Sequence, residues 1–125
     1  MKFVIRVDGG AVIGGGHIMR CLTLAQEARE RGHDAIFVAV RDQMNSHIAR
    51  AGFDLPELDP QVVPADQEPP HAGWLRLPYD LDADLTAQVI QHHKADWLVW
   101  DHYGLDRRWV SRIRARCQVK VMALD

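Results

Sequence analysis

Chemistry in this chain is most concentrated behind a run of glycines. The segment Asp8-Gly9-Gly10-Ala11-Val12-Ile13-Gly14-Gly15-Gly16-His17-Ile18-Met19-Arg20 follows an apolar run, Phe3 to Val7, and leads into a strongly helical one, Ile18 to Arg31. His17 therefore stands at or next to the first residue of a helix. There it faces the positive end of the helix dipole, which disfavours imidazolium and leaves a ring able to take a proton at about neutral pH. That suits a general base acting on water; the plainer alternative is a ring that only hydrogen-bonds a neighbouring loop. Gly14, Gly15 and Gly16, with Ile13 before them, let backbone N–H groups come close to a ligand, or else serve only tight packing of strand on helix. They form neither the dinucleotide fingerprint G-x-G-x-x-G nor a Walker A loop, since no Gly-Lys-Ser/Thr follows.

A second constellation, Asp101-His102-Tyr103-Gly104, closes a later apolar run. Carboxylate, imidazole and phenol in succession can hydrogen-bond a polyhydroxyl or acetamido ligand, or build a structural turn capped by Asp101. Arg6 is the charged member of an otherwise apolar strand, and a buried charge needs a partner. Asp8, two residues on, is the expected one, with Arg6 supporting the site from behind. His92-His93 ends a helix, where a cation suits the dipole, and His33, His47 and His71 show no ligand spacing. No His-Glu-x-x-His or Cys-x-x-Cys occurs, so no metal and no cofactor are expected. No serine or cysteine has a base beside it in a nucleophile motif. Cys21 falls on the apolar side of a helix and reads as core.

Alternating elements position these groups. Residues 3–8 read as a buried parallel strand. Residues 18–31 form a helix with Ile18, Cys21, Leu22, Ala25 and Ala28 on one stripe, stopped by Gly32. Ala35 to Val40 is a second strand, 43–51 a short helix closed by Gly52, and Phe53 to Leu58 a short strand. Residues 59–80 hold five of the six prolines and read as a long loop, with Trp74 as an anchor. A helix over 82–94 follows, capped by Asp82 or Asp84. Then come the strand Trp97 to Trp100, a basic amphipathic helix over 106–116 with Trp109, Val110 and Ile113 inward, and a last strand, Val119 to Leu124. Strand–helix alternation predicts an α/β, Rossmann-like parallel sheet with helices on both faces. Ligands of such sheets bind beyond the carboxyl ends of the strands. Asp8 to His17, Asp101 to Tyr103, and Asp125 all fall there.

The bulk numbers fit one domain of 125 residues. With 26% charged and 47% hydrophobic residues, the composition is that of an ordinary globular protein. A net charge of −2 gives no electrostatic case for nucleic acid or an anionic membrane. No apolar run reaches the ~20 residues that span a bilayer, and the N-terminal apolar stretch reads as a strand rather than a signal peptide. Cysteine usage points to the cytoplasm.

Three pieces together carry a resemblance. They are Arg6-Val7-Asp8 with Ile13-Gly14-Gly15-Gly16-His17-Ile18-Met19-Arg20-Cys21-Leu22-Thr23-Leu24-Ala25, then Trp97 to Asp106, then Val121 to Asp125. In this order and spacing the chain resembles the start of the UDP-2,4-diacetamido-2,4,6-trideoxy-β-L-altropyranose hydrolases of bacterial pseudaminic acid biosynthesis. The resemblance covers nearly the whole chain apart from 59–80, and G-x-G-H-x-x-R followed by D-H-Y-G is its specific part. It implies the N-terminal half of a glycosyltransferase-B-type fold, in which two Rossmann-like domains face each other across a cleft. It implies His17 as the general base that activates water at the anomeric carbon, with UDP leaving by inversion. Tyr103 and the backbone of Ile13 and Gly14 would line the sugar pocket, and Arg20 completes the motif as a supporting residue. UDP is already a good leaving group, so one base suffices without the paired carboxylates of ordinary glycosidases.

The family carries a second, UDP-binding domain, and the chain stops at Asp125 where the family continues. The expectation is an N-terminal half that shares a UDP-sugar with a missing C-terminal domain. It is expected to have very low hydrolase activity alone and a domain-facing surface open to self-association. Two other readings stand beside this one: the acceptor-side domain of a glycosyltransferase of the same fold, and a non-catalytic binding module.

Overall fold

A computed structural model describes residues 1–63 and 69–124; Pro64 of the long loop and the expected strand-end carboxylate Asp125 lie outside them. The strands are β1 (Lys2–Val7), β2 (Asp34–Val40), β3 (Glu57–Leu58), β4 (Trp97–Asp101) and β5 (Lys120–Ala123). The helices are α1 (Gly16–Glu30), α2 (Ser46–Arg50), α3 (Tyr79–His93) and α4 (Arg107–Arg114). All strand pairs are parallel, in the order β3-β2-β1-β4-β5. β1 is thus central, and the order reverses between β1 and β4, where a doubly wound sheet opens a crevice at its carboxyl edge.

Period-two alternation assigns the strand residues to two faces. Ile5 and Val7 of β1, Phe37 of β2 and Val99 of β4 pack under Ile18, Cys21, Leu22 and Ala25 of α1 and Ile48 of α2. Val4, Ile36, Val38 and Leu98 turn the other way, against Ala83, Ala87 and Ile90 of α3 and Trp109 and Ile113 of α4. Of the apolar stripe read for the first helix, Ile18, Cys21, Leu22 and Ala25 pack here, while Ala28 is only partly buried and lies outside the cluster. Burying this many large aliphatic side chains, at about 1.5–3 kcal/mol each, is the main source of stability.

Several boundaries differ from the sequence reading. The segment 43–51 splits into a 3-10 turn, Gln43–Asn45, capped by the Asp42 carboxylate on the Met44 N–H, followed by α2. β3 has only two residues; Phe53, expected in it, instead fills the α1 face of the core. α3 begins at Tyr79 behind Pro78, and neither expected cap serves. Asp82 is fully buried and accepts from Arg6 and Trp109. Asp84 pairs across to Arg112 and Arg116. Side-chain partners in the folded protein outcompeted local capping.

Candidate active site

The turn between β1 and α1 is drawn in by a backbone pair, Gly14 N–H to Gly10 O at 2.7 Å. Ala11, Val12 and Ile13 form the tip of the loop so closed, with Ala11 and Val12 exposed. Three glycines here are favoured by geometry. Gly10 and Gly14 have φ +153 and +81, and a Cβ on Gly9 would stand 2.5 Å from Ile18 Cδ1. A Cβ on Gly16 would meet nothing within 4 Å, so that glycine leaves open space at the helix start. α1 has no side-chain cap and no acidic residue in its first turn. Its opening amides are left for solvent or a ligand.

His17 lies within this first turn. Its Nδ1 is 2.6 Å from Asp101 Oδ1, the His17 side chain being 13% exposed and that of Asp101 0%. Arg20, one turn further along α1, donates through Nε and Nη2 to both Asp101 oxygens and also meets the Tyr103 side chain. Burial works against ionisation of Asp101, but hydrogen bonds from Arg20 and His17 hold its carboxyl below its ordinary value. A carboxylate so held has no proton to give, so the proton between it and the imidazole belongs to Nδ1. Arg20 Nη2, 3.3 Å from Nδ1, then faces another donor there and directs its hydrogen to the carboxylate rather than to the ring. His17 Nε2 has no hydrogen-bond partner among the described residues. A carboxylate thus orients an imidazole and fixes its tautomer, leaving a lone pair on the far nitrogen. Cys21 Sγ also approaches Asp101, at 3.6 Å. Burial and that carboxylate push its thiol well above the ordinary value, so it is no nucleophile.

Asp101 and His102 were both expected to touch ligand; the oxygens of Asp101 are occupied within the protein, while His102, 5% exposed, lines the cavity beside Tyr103. Asp101 has its oxygens occupied by His17 and Arg20 and is enclosed, in position to orient the imidazole. His102 points to the opposite face of β4. Its Nδ1 accepts from the Gly104 N–H at 2.9 Å, and its Nε2 donates to Asp8 Oδ2 at 2.8 Å. Both ring nitrogens are therefore spent. The expected Arg6–Asp8 pair is present at 2.6 Å, with both side chains 0% exposed, but Arg6 also grips Asp82 at 2.7 Å. Asp8 accepts further from the Val40 N–H, and Asp82 from Trp109 Nε1 and Thr86 Oγ1. Burial opposes charge on both Arg6 and Asp8. Even so, their mutual attraction raises the guanidinium's pKa and holds the Asp8 carboxyl far below its usual range.

Two aromatic residues complete the site that the sequence reading had set aside. The Tyr103 ring stands edge-on to His17, with centroids 4.9 Å apart. Trp74 lies 6.3 Å from His17 and stacks toward Tyr103 at 6.0 Å, while His71 contacts Trp74 at 4.6 Å and Tyr103 at 5.6 Å. Both come from the proline-rich loop, on and beside a 3-10 turn, Ala72–Trp74. The loop is pinned there. Leu75 and Leu77 sink into the α3/α4-face core, and Arg76 Nη2 donates to Gly9 O while Nη1 reaches Asp42. The His71 carbonyl packs so close to Gly104 that a Cβ there would approach it to 2.9 Å. That contact, more than flexibility, explains the glycine. The signal was available: Trp74-Leu75-Arg76-Leu77 alternates with period two inside the loop, placing Trp74 opposite the buried leucines.

Two cavities flank this aromatic layer. One, of about 310 Å³, lies between the glycine loop and Trp74; the other, of about 430 Å³, lies between Tyr103, His71 and the ends of β4 and β5. Ile13 lines the first. Among the described residues, no group of three or more His, Cys, Asp or Glu is arranged to hold a metal ion. No helix among them is long and apolar enough to cross a membrane.

No family model and no curated protein matches the chain. Solved structures similar to it include a glycosyltransferase from Rickettsia africae ESF-5, with a TM-score of 0.65, 16% identity, and coverage of 98% of this chain and 28% of that one. MurG from Acinetobacter baumannii is similar at a TM-score of 0.65 and 18% identity, over 98% of this chain and 34% of that one. The glycosyltransferase SnogD from Streptomyces nogalater is similar at 0.60 and 21%, over 83% and 28%. The fold is therefore an α/β, Rossmann-like half of the glycosyltransferase-B type. The chain spans about a third or less of the length of these neighbours.

Proposed function

We propose that this chain is the base-bearing, N-terminal half of a nucleotide-sugar hydrolase that releases UDP from a UDP-linked 2,4-diacetamido-2,4,6-trideoxy sugar. The observation that carries the reading is the His17–Asp101 pair, with Nδ1 engaged and Nε2 without a partner among the described residues, at the carboxyl edge of the sheet. In the reaction, a water lodged on Nε2 gives it a proton while its oxygen bonds to the anomeric carbon. The bond from that carbon to the diphosphate oxygen breaks with its electron pair on UDP, and configuration inverts. Asp101 stabilises the imidazolium as it forms. The bare amides at the start of α1 place positive potential beside the reacting centre. Tyr103, packed on the imidazole, walls the sugar side. A second Rossmann-like half, facing this one, supplies the contacts to the nucleotide.

The test uses the parent protein with UDP-2,4-diacetamido-2,4,6-trideoxy-β-L-altropyranose and no acceptor, following UDP release. His17→Gln is expected to lower kcat by about 10²–10⁴; undiminished turnover would contradict the assignment. The glycosyltransferase neighbours favour one alternative, in which the same base deprotonates an acceptor hydroxyl or amine. UDP release would then depend on added acceptor, and the acceptor-free assay separates the two.

A further inference from the structure

We propose that Trp74 is the specificity-determining residue of the site: a platform whose indole face and Nε1–H together recognise a sugar ring bearing acetamido and methyl groups. The inference rests on the sugar-nucleotide reading above. It adds a recognition element from a loop that lies outside the glycine and D-H-Y-G segments.

Three observations support it. The indole is preorganised: it packs against His71 at 4.6 Å and Tyr103 at 6.0 Å, which also contact each other at 5.6 Å, in a turn anchored by buried Leu75 and Leu77. Its cost of ordering is met by the fold, so contact with a ligand is not offset by freezing a mobile side chain. Second, the Nε1–H has no hydrogen-bond partner among the described residues and stands open to solvent, whereas the buried Trp109 Nε1 donates to Asp82 at 2.8 Å. An acetamido carbonyl can replace water as the acceptor of such an N–H. Third, Trp74 lines the cavity of about 310 Å³ shared with Gly10, Ile13, Asp42 and Arg76. That volume is at the small end of ligand cavities and suits a single ring with its substituents. Asp42 pairs with Arg76 Nη1 at 3.1 Å and Arg76 Nη2 donates to Gly9 O, while Arg76 Nε is buried without a partner among the described residues; the surface left to methyl groups is mostly apolar. The imidazole 6.3 Å away is close enough for a ring held on Trp74 to present its anomeric carbon to water on Nε2.

The chain's four tryptophans each give one indole N–H resonance, and Trp74→Phe identifies that of Trp74. The chain is titrated with free 2,4-diacetamido-2,4,6-trideoxyaltrose, with glucose as control. The acetamido sugar is expected to move the Trp74 indole resonance saturably and glucose to leave it in place. Trp74→Phe, which keeps a ring face but loses the donor, is expected to weaken binding about threefold to tenfold, and Trp74→Ala by more than about tenfold. Three results would overturn the proposal. The sugar could bind without moving that resonance, Trp74→Ala could bind unchanged, or no resonance could shift saturably up to about 50 mM, well past the millimolar affinity scale. No turnover is involved. A parent protein that binds the sugar through Trp74 but releases no UDP would refute the hydrolase reading and leave this one standing.

Discussion

Two polar clusters meet at the carboxyl ends of β1 and β4, made of the same residue types and separated by the thickness of the sheet. On the α3/α4 face, Arg6, Asp8, Asp82 and His102 are enclosed, and both oxygens of each carboxylate accept hydrogen bonds. On the α1 face, His17, Asp101 and Arg20 form a chain that ends in an imidazole nitrogen with no partner among the described residues. Neighbours in sequence, Asp101 and His102, fall into different clusters because alternate strand residues face opposite ways. The first cluster locks the centre of the sheet to two helices. The second holds an imidazole at the crevice, the group proposed above as the base. A histidine beside an aspartate is thus not a site by itself; what distinguishes the two is whether a nitrogen is left to do work.

Substitutions should split along this line. His17→Gln is expected to produce the largest loss, about 10²–10⁴ in the parent's kcat, with the urea unfolding midpoint unmoved. Arg6→Met should do the reverse. It strands two buried carboxylates and is expected to cost about 3–5 kcal/mol of stability in urea unfolding, while the folded fraction keeps its turnover. If Arg6→Met unfolds no more easily than the parent, the enclosed cluster is not the lock described. Asp101→Asn joins the comparison from the middle. It keeps the shape but removes the acceptor charge that fixes the imidazole tautomer, and kcat is expected to fall by about 10² or more. Circular dichroism should show the fold intact.

Acid brings the smallest and most graded effect. Folding holds the carboxyls of Asp8 and Asp101 below their ordinary values. The unfolded chain therefore binds more protons in acid than the folded one, and the stabilisation is complete above the unfolded value of about 4. It is lost as pH falls from there toward the folded-state values. Stability measured from pH 6 downward, about the plateau, should decline on entering that window. The decline should be shallower in Asp101→Asn, and a profile identical to the parent's would remove Asp101 from the account.

The sequence made much of this legible. The glycine loop, the helix stripe of Ile18, Cys21, Leu22 and Ala25, the parallel α/β sheet and the Arg6–Asp8 pair all follow from spacing and from the cost of an unpaired buried charge. The site was legible only in part. His17 and Tyr103 do converge, but Asp101 and His102 looked equivalent because strand parity at a strand end depends on where the strand stops. Asp82 read as a helix cap because its long-range partner, Arg6, is 76 positions away. Trp74 and His71 were hidden by prolines, which disguise a loop segment as irregular even where two leucines nail it to the core.

The central claim is that Asp101 holds the proton on His17 Nδ1 and leaves Nε2 bare. A long-range proton–nitrogen spectrum of the chain at about pH 8.5, well above the ordinary imidazole value, tests it directly. The expected result is a protonated Nδ1 and an unprotonated Nε2 for His17, with the preference lost in Asp101→Asn. A ring carrying its proton on Nε2 in the unsubstituted chain would contradict the assignment of His17 as the base.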